Sequence, residues 1–356
     1  MKHILITGCG GLIGSQAAEF FLQKKFSILG IDNNLRKFFF GKTASVNWRI
    51  LELKKNKKFK FFNLDIRNIK SLEKIFIKYN INIDCIIHCA AQPSHDLAAK
   101  FPIIDFEVNA NGTLNLLELS RKYCRKTTFI FLSTNKVYGD TPNRLPFVEK
   151  EKRYELNSKN KFFKKGINES MSIDNSKHSL FGVSKLSADI LVQEFGRYFG
   201  MKTVCFRAGC LTGSLHSSAE LHGFLSYLVK CIFTSTKYII YGYKGKQVRD
   251  NIHSYDLVNM LWHYYKKPRA GEVYNVGGSR FSNCSILEAI EITEKILKKK
   301  AIYSFSNKER SGDHIWWISD ISKFKKHYPK WDYKFDLIDI IKDIIIRLKK
   351  SQIKIK

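Results

Sequence analysis

The chain has 356 residues, 44% of them hydrophobic, and its 61 Lys and Arg outnumber 32 Asp and Glu for a formal charge of +29. That is enough apolar sequence for one large core, or for a large domain with a smaller lobe, and no apolar run is long enough to span a bilayer. The eight cysteines show no metal-type spacing, so no metal site is expected, and although the charge raises nucleic acid as a partner, the lysines are spread along the whole chain with no RNA- or DNA-binding motif. A nucleic-acid partner is therefore not expected, and the basic surface is read as an attractor for a diphosphate-bearing substrate. The start, "MKHILITG", enters a glycine turn before any cleavage-type segment can form; the expectation is no signal peptide and a reducing cytoplasm.

The first element is a β-rich run, "HILIT" (3–7), followed by "GCGGLIG" (8–14) and an amphipathic helical pattern over 15–25. Gly8, Gly11 and Gly14 allow a tight turn, close backbone approach to a pyrophosphate and close helix–strand packing. The helix that follows offers N–H groups and a partial positive charge to phosphates. A second strand, "FSILGID" (26–32), ends at Asp32. A carboxylate there accepts from a ribose 2′-OH and repels a 2′-phosphate, which favours NAD over NADP; nearby Arg36 is the residue that would serve a 2′-phosphate instead.

Strand-like "FKFFNLDIR" (59–67) ends in Asp65 and Ile66, suitably placed to flank an adenine. "IDCIIHCAA" (83–91) follows, with Cys85 and Cys89 as packing residues and Ala90 and Ala91 small enough for a nicotinamide to lie against backbone. "TTFIFLST" (127–134) is a further strand, and helical patterns intervene near 68–79 and 109–124. This βαβ alternation predicts an α/β protein: a Rossmann doubly wound parallel sheet, with ligands at the carboxyl ends of the strands. "SLFGVSK" (179–185) opens a helix on which Phe181 and Lys185 share a face. Trp316 and Trp317 read as core residues or as a platform for a base, and "IIKDIIIRLKK" (340–350) as a surface-lying helix.

Taken in order, "TGCGGLIGS", "DIR", "HCAAQ", "NANGTLNLLE", "STNKVYGD", "GVSK", "GKQVRDNIHSYDLV" and "YNVGG" resemble an extended short-chain dehydrogenase/reductase of the nucleotide-sugar epimerase/dehydratase group, from residue 1 to about 335. Within the group, "STNKVYGD" (133–140), "GKQVRD" (245–250) and the polar insertion before residue 181 resemble the CDP-paratose (CDP-tyvelose) 2-epimerases.

The resemblance implies tightly held NAD, with Leu12, Ile13, Asn33, Gln92, Asn109 and Lys185 added to the cofactor contacts. It implies that Thr134 polarises the reacting hydroxyl, and that Lys185 binds the nicotinamide ribose and lowers the pKa of a catalytic tyrosine four residues before it. That tyrosine position is Phe181, which has no proton to move. His178, His95, Lys136 and Cys210 are candidate substitutes, and Thr134 could relay to water. The related dehydratases carry an Asp-Glu pair where this chain has Asn135-Lys136, so elimination of water is not expected.

For the substrate, a nucleotide-diphosphate sugar, the resemblance implies contacts from Thr134, Asn135, Arg207, Cys210, Arg249, Arg310 and Asp313, with Arg249 clamping the diphosphate through its planar fork and Arg207 and Cys210 at the site entrance. Residues 1–205 are expected to form mainly the NAD domain and 206–356 the substrate lobe, with segments interleaved into the sheet, in a homodimer or higher homo-oligomer. The leading expectation is NAD-dependent epimerisation of a CDP-sugar at C2 by transient oxidation and re-reduction. The alternatives are a 4-epimerase, a keto-sugar reductase, or a non-catalytic NAD-binding regulator.

Overall fold

The computed structural model describes residues 2–215, 223–307 and 312–353. The chain folds as two compact units. The first comprises Met1–Val137, Ser179–Arg207 and Val258–Tyr274, the second Tyr138–His178, Ala208–Leu257 and Asn275–Lys356. The polar insertion 138–178 therefore belongs with the second unit, held there by main-chain bonds such as Ile167 N to Ile318 O, 2.7 Å, and by Tyr138 Oη donating to Asn275 at 2.8 Å. Residues 258–274, which hold most of the helix Ser254–Lys266 and the start of the strand Glu272–Val276, belong with the first.

The first unit is built on a seven-stranded sheet. Its early strands are β1 (His3–Thr7), β2 (Ser27–Asp32), β3 (Phe59–Asn63), β4 (Ile83–His88) and β5 (Thr128–Thr134). The order across the sheet is Glu272–Val276, Lys202–Ala208, β5, β4, β1, β2, β3. β1 pairs in parallel with both β2 and β4, β2 with β3, and β4 with β5. These strands are runs of Ile, Leu, Phe and Cys because helices cover both faces. Leu5, Leu29, Ile86, Phe129 and Phe131 pack against Leu72, Phe76, Leu116, Leu117 and Val192 in one core. Strand order reverses between β1 and β4, and their carboxyl ends form the switch point where such sheets bind ligands.

Helix α1 spans Leu12–Gln23, three residues earlier than its apolar pattern begins, because Gly11 is extended and the chain turns into the helix directly after it. β3 stops at Asn63, leaving Asp65 and Ile66 in the following loop. The pattern near 109–124 resolves into a wide π-helical turn, Glu107–Asn111, and an α-helix, Gly112–Tyr123.

In the second unit, Val248–His253 pairs with Asn283–Ser285, Trp316–Trp317 and Cys210–Thr212. Helices Phe224–Thr234, Ile286–Leu297 and Leu337–Ile353 bury a second core, the middle one starting at a capping box of Ser285 and Glu288. The last helix is more than a surface-lying one: Ile340, Ile341, Ile344 and Ile345 enter that core on one stripe. Trp316 and Trp317 are both fully buried. Trp317 stacks on Tyr138 and on His314, at ring distances of 5.5 and 5.4 Å, and so is a core residue rather than a platform for a base.

Candidate active site

The glycine turn is built for close approach. Gly8 has φ +67, and a Cβ there would meet the main chain of Ala90 at 2.8 Å, so β1 and the end of β4 touch through backbone. A Cβ on Gly14 would lie 2.1 Å from Gly8 O, which is why the third position also excludes a side chain. At Gly11 the only atom of the described residues near such a Cβ is Gly8 O, at 3.3 Å; beyond it, among those residues, the direction is open. Leu12 and Ile13 form the first turn of α1.

Asp32, at the end of β2, accepts from Gly10 N at 2.9 Å through Oδ2 and from Asn34 N at 2.7 Å through Oδ1. Burial pushes its pKa up, and these two N–H groups pull it back. Each oxygen keeps a further lone pair for a ligand hydroxyl. Asn33 donates to Asp65 Oδ2 at 2.9 Å, and Asp65 also holds Arg67 at 2.8 Å, which keeps the Asp65 carboxyl below its ordinary range. Arg36 lies with its guanidinium 4.8 Å from the centre of the Phe40 ring. Gly10 and Asn34 had no role in the sequence reading; the doubled glycine of "GCGG" was the available signal for Gly10.

Several expected cofactor contacts turn inward instead. Gln92 and Asn109 are fully buried, 0% and 1% exposed. Gln92 N donates to Asn109 Oδ1 at 2.9 Å, and the Gln92 side chain bonds Ser94 and Asp105. Asn109 Nδ2 faces Gln92 O, Asp105 and Ser184 at 3.0–3.1 Å. Ser184 in turn donates to Asp105 Oδ2 at 2.5 Å. These side chains brace the backbone after Ala90 and Ala91 rather than reach toward a ligand. The Ile66 side chain likewise belongs to the core, against Gly112, where a Cβ would fall 2.5 Å from Ile66 Cδ1.

The helix Leu180–Phe199 carries Phe181 and Lys185, and its N-cap Ser179 accepts from Gly182 N at 3.1 Å. Phe181 is 6% exposed. One turn on, Lys185 Nζ donates to Leu132 O at 2.8 Å and lies 4.1 Å from the centre of the Phe131 ring. Burial pushes the Lys185 pKa down to about 8, while the Asp189 carboxylate opposes that shift. Thr134 ends β5, half-buried, and its hydroxyl accepts from Lys136 N at 3.2 Å. Asn135 and Lys136 form the next turn, with the Asn135 amide 3.4 Å from the Thr134 hydroxyl.

Arg207 is not at an entrance. It is 5% exposed and bonds the fully buried Asp189 at two points, Nη2 to Oδ1 at 2.8 Å and Nε to Oδ2 at 3.1 Å. Ser133 and Gln193 complete the Asp189 shell at 2.5 and 2.7 Å. This cluster fixes the helix bearing Lys185 to β5 and to the strand Lys202–Ala208. Asp189 was missed in the sequence, where nothing in its spacing distinguishes it from a solvent-facing helix residue.

In the second unit, Arg249 and Asp313, named separately from the sequence, come together. Arg249 Nη2 meets Asp313 Oδ1 at 2.5 Å, and its Nη1 donates to Val248 O at 2.7 Å. Cys210 lies half-buried on the strand Cys210–Thr212, opposite Asn251. His178 holds Ile173 O and Ser176 through Nε2, both at 3.0 Å. Asp250, beside Arg249, accepts from Ser279 N and Ser319 N at 3.0 and 2.8 Å, and burial pushes its pKa up to about 6. Arg310 lies outside the described residues. Among the described residues, no group of three or more His, Cys, Asp or Glu side chains comes together as a metal site, and no helix is long and apolar enough to cross a membrane.

A parallel sheet with a glycine turn at its switch point, a carboxylate ending its second strand, and a buried lysine beside a strand-end threonine define a nucleotide-cofactor protein of the extended short-chain dehydrogenase/reductase class. The NAD dependent epimerase/dehydratase family matches the sequence over residues 4–277, and the chain belongs to that family. It is 32% identical over 298 residues to a CDP-paratose 2-epimerase of Salmonella typhi, covering 82% of this chain and 83% of that protein. It is also 32% identical over 327 residues to a UDP-glucuronate 4-epimerase of Thermodesulfobacterium geofontis, covering 92% and 90%. The crystal structure of a UDP-glucuronic acid 4-epimerase from Bacillus cereus, in complex with UDP-glucuronic acid and NAD, superposes with a TM-score of 0.79 at 26% identity, covering 98% of this chain and 99% of that one. NAD is the cofactor, and the open direction at Gly11, the close Gly8–Ala90 approach and the available Asp32 oxygens fit it.

Proposed function

We propose that this protein epimerises a nucleotide-diphosphate sugar, a CDP-sugar at C2, by oxidising the carbon and reducing it again from its other face. The observation that carries this reading is the turn after Thr134. It presents Asn135 and Lys136 and no carboxyl group, so the acid and base that elimination of water needs at neighbouring carbons are missing, whereas the oxidation–reduction pair of Thr134 and Lys185 is retained. The identity to a CDP-paratose 2-epimerase supports the cytidine nucleotide and the C2 position. When bound, NAD supplies the transient hydride acceptor.

In this reading Asp32 accepts from the adenosine ribose, Lys185 donates to the nicotinamide ribose with the ammonium protons that Leu132 O does not take, and Thr134 orients the sugar hydroxyl. Arg249, pre-oriented by Asp313, meets the diphosphate. A second reading, 4-epimerisation of a UDP-sugar, is supported by the equal identity to a UDP-glucuronate 4-epimerase over a longer stretch.

Incubation with a panel of CDP-, UDP- and dTDP-sugars in deuterated water, read by NMR and mass spectrometry, tests the proposal. The expected product is a C2 epimer of a CDP-sugar, without loss of water and without deuterium in the sugar. A C4 epimer of a UDP-sugar would establish the second reading. Stoichiometric consumption of NADH would establish a keto-sugar reductase, and NAD binding without turnover a regulator.

A further inference from the structure

His88 ends β4 inside an apolar run and is 1% exposed. It is bonded at both ring nitrogens. Nδ1 lies 2.7 Å from Thr7 Oγ1, its register partner at the end of β1, and Nε2 lies 2.9 Å from Thr113 Oγ1. The hydroxyls decide which nitrogen holds the proton. Thr113 gives its hydroxyl proton to Asn109 O, 2.6 Å away and four residues earlier, so toward His88 it accepts, and Nε2 is the N–H. Burial pushes the His88 pKa down to about 3, and the Lys185 ammonium adds to that, so the ring carries no second proton. Nδ1 therefore accepts from Thr7 Oγ1, which in turn accepts from Ala90 N at 3.3 Å. The chain runs one way: Ala90 N–H to Thr7, Thr7 to His88, His88 to Thr113, and Thr113 to Asn109 O.

Both ends of this chain hold the same short stretch. One end is the Ala90 N–H, at the point where Gly8 and Ala90 touch through backbone. The other is Asn109, whose side chain grips Gln92 through its N–H and its carbonyl, at 2.9 and 3.1 Å. We propose that His88 is a positioning residue for the cofactor, a neutral imidazole with its proton on Nε2 that acts through Thr7 to fix the Ala90 N–H, and so the Ala90–Gln92 backbone against which NAD lies. The inference rests on NAD lying along that backbone and not on which sugar is epimerised. A hydroxyl left to itself rotates and turns either its proton or its lone pairs toward a neighbour. By taking the Thr7 proton, His88 leaves lone pairs alone to face Ala90 N. Its bond to Thr113, in the first turn of the helix Gly112–Tyr123, sets the tautomer from the far side of the ring. One imidazole thus joins the wide turn Glu107–Asn111 to the end of β1, and bonds linked in this way strengthen one another.

Two readouts test this, and neither uses a sugar nucleotide, so both are independent of the epimerase reading. In cofactor-free protein labelled at its histidine nitrogens, NMR should show the His88 ring, identified by its loss in His88→Phe, with a protonated Nε2 and a bare Nδ1. That state should hold from about pH 8 to about pH 5, across the range in which an exposed histidine titrates. A proton on Nδ1, or titration within that range, overturns the proposal. In calorimetric titrations with NAD, Thr7→Val and His88→Phe should each weaken binding about three- to tenfold, the size of one neutral hydrogen bond. The two together should weaken it no more than the stronger single variant, because both cut one chain. Thr7→Ser, which keeps the hydroxyl, should bind NAD nearly as the parent does. Thr203→Val is the control: its hydroxyl is equally buried in the same unit and bonds Val192 O at 2.7 Å, so its loss should lower the melting temperature and leave NAD affinity unchanged. A merely structural His88 would give that same pattern. Single variants that shift NAD affinity by less than about threefold, or a double variant whose loss is the product of the two, overturn the role of His88. If His88→Phe does not fold, as read by a missing thermal transition, His88→Leu is read the same way.

Discussion

Lys185 Nζ, on the helix Leu180–Phe199, donates at 2.8 Å to the carbonyl of Leu132, two residues before Thr134 at the end of β5. The bond brings a cation into a buried place, and burial lowers its pKa from 10.5 to about 8. Below pH 8 the folded protein bears the full desolvation cost of the charge. Between about pH 8 and 10.5 the unfolded chain binds more protons than the folded one, so this group's contribution to stability rises with pH through that window. Lys185→Met should abolish that rise. Thermal melts of the cofactor-free proteins should show the unmodified protein gaining on the Met variant from pH 7 to pH 10.5, by up to roughly 3 kcal/mol. A difference that does not change with pH would show that the ammonium is not desolvated.

Asp32 should set the choice of dinucleotide. NAD is expected to bind clearly more tightly than NADP, and Asp32→Asn to narrow that ratio, chiefly by weakening NAD. The substitution also leaves Gly10 N or Asn34 N without its carboxylate acceptor, at a cost of about 1–3 kcal/mol in stability. Calorimetric titration with both dinucleotides measures the ratio. Preference of the unmodified protein for NADP would move attention to Arg36.

Arg249→Ala should weaken nucleotide-sugar binding by about ten- to a hundredfold, the loss of a charge-assisted bidentate contact, and leave NAD affinity nearly unchanged. Equal losses for both ligands would contradict a diphosphate role. Asp313→Asn should give a smaller loss of the same kind, because it frees the guanidinium that Asp313 orients.

Arg207→Leu should act on stability rather than on substrate. It strands the Asp189 carboxylate in the core with only Ser133 and Gln193, and removing one partner of a buried pair costs about 3–5 kcal/mol. Urea denaturation should show the loss, while KM of the folded fraction stays near its parent value. A selective rise in KM at unchanged stability would restore Arg207 to the substrate contacts.

The backbone demands of the site were legible in the sequence, because only glycine satisfies them: Gly8 and Gly14 sit where a side chain would collide with main chain. The Phe181–Lys185 relation was legible too, since it follows from helical spacing alone. What could not be read was the direction of polar side chains. Gln92 and Asn109 occupy positions from which an amide can face a ligand or a neighbour, and their partners Asp105 and Ser184 become visible only when two helices meet. Long-range charge pairs were hidden for the same reason: Arg207 finds Asp189 from 18 residues away, and Arg249 finds Asp313 from 64.

The knot of Gln92, Asn109, Asp105 and Ser184 also limits how this scaffold can be re-engineered. Each of the four satisfies a buried polar atom of another, so replacing any one leaves its neighbours with unmade hydrogen bonds in the interior, a penalty larger than the bond itself contributes. A chimera that imports the helix with Lys185 from a relative must therefore import residues 92–109 with it. The two segments are one exchangeable module, although 70 residues of sequence lie between Asn109 and Leu180.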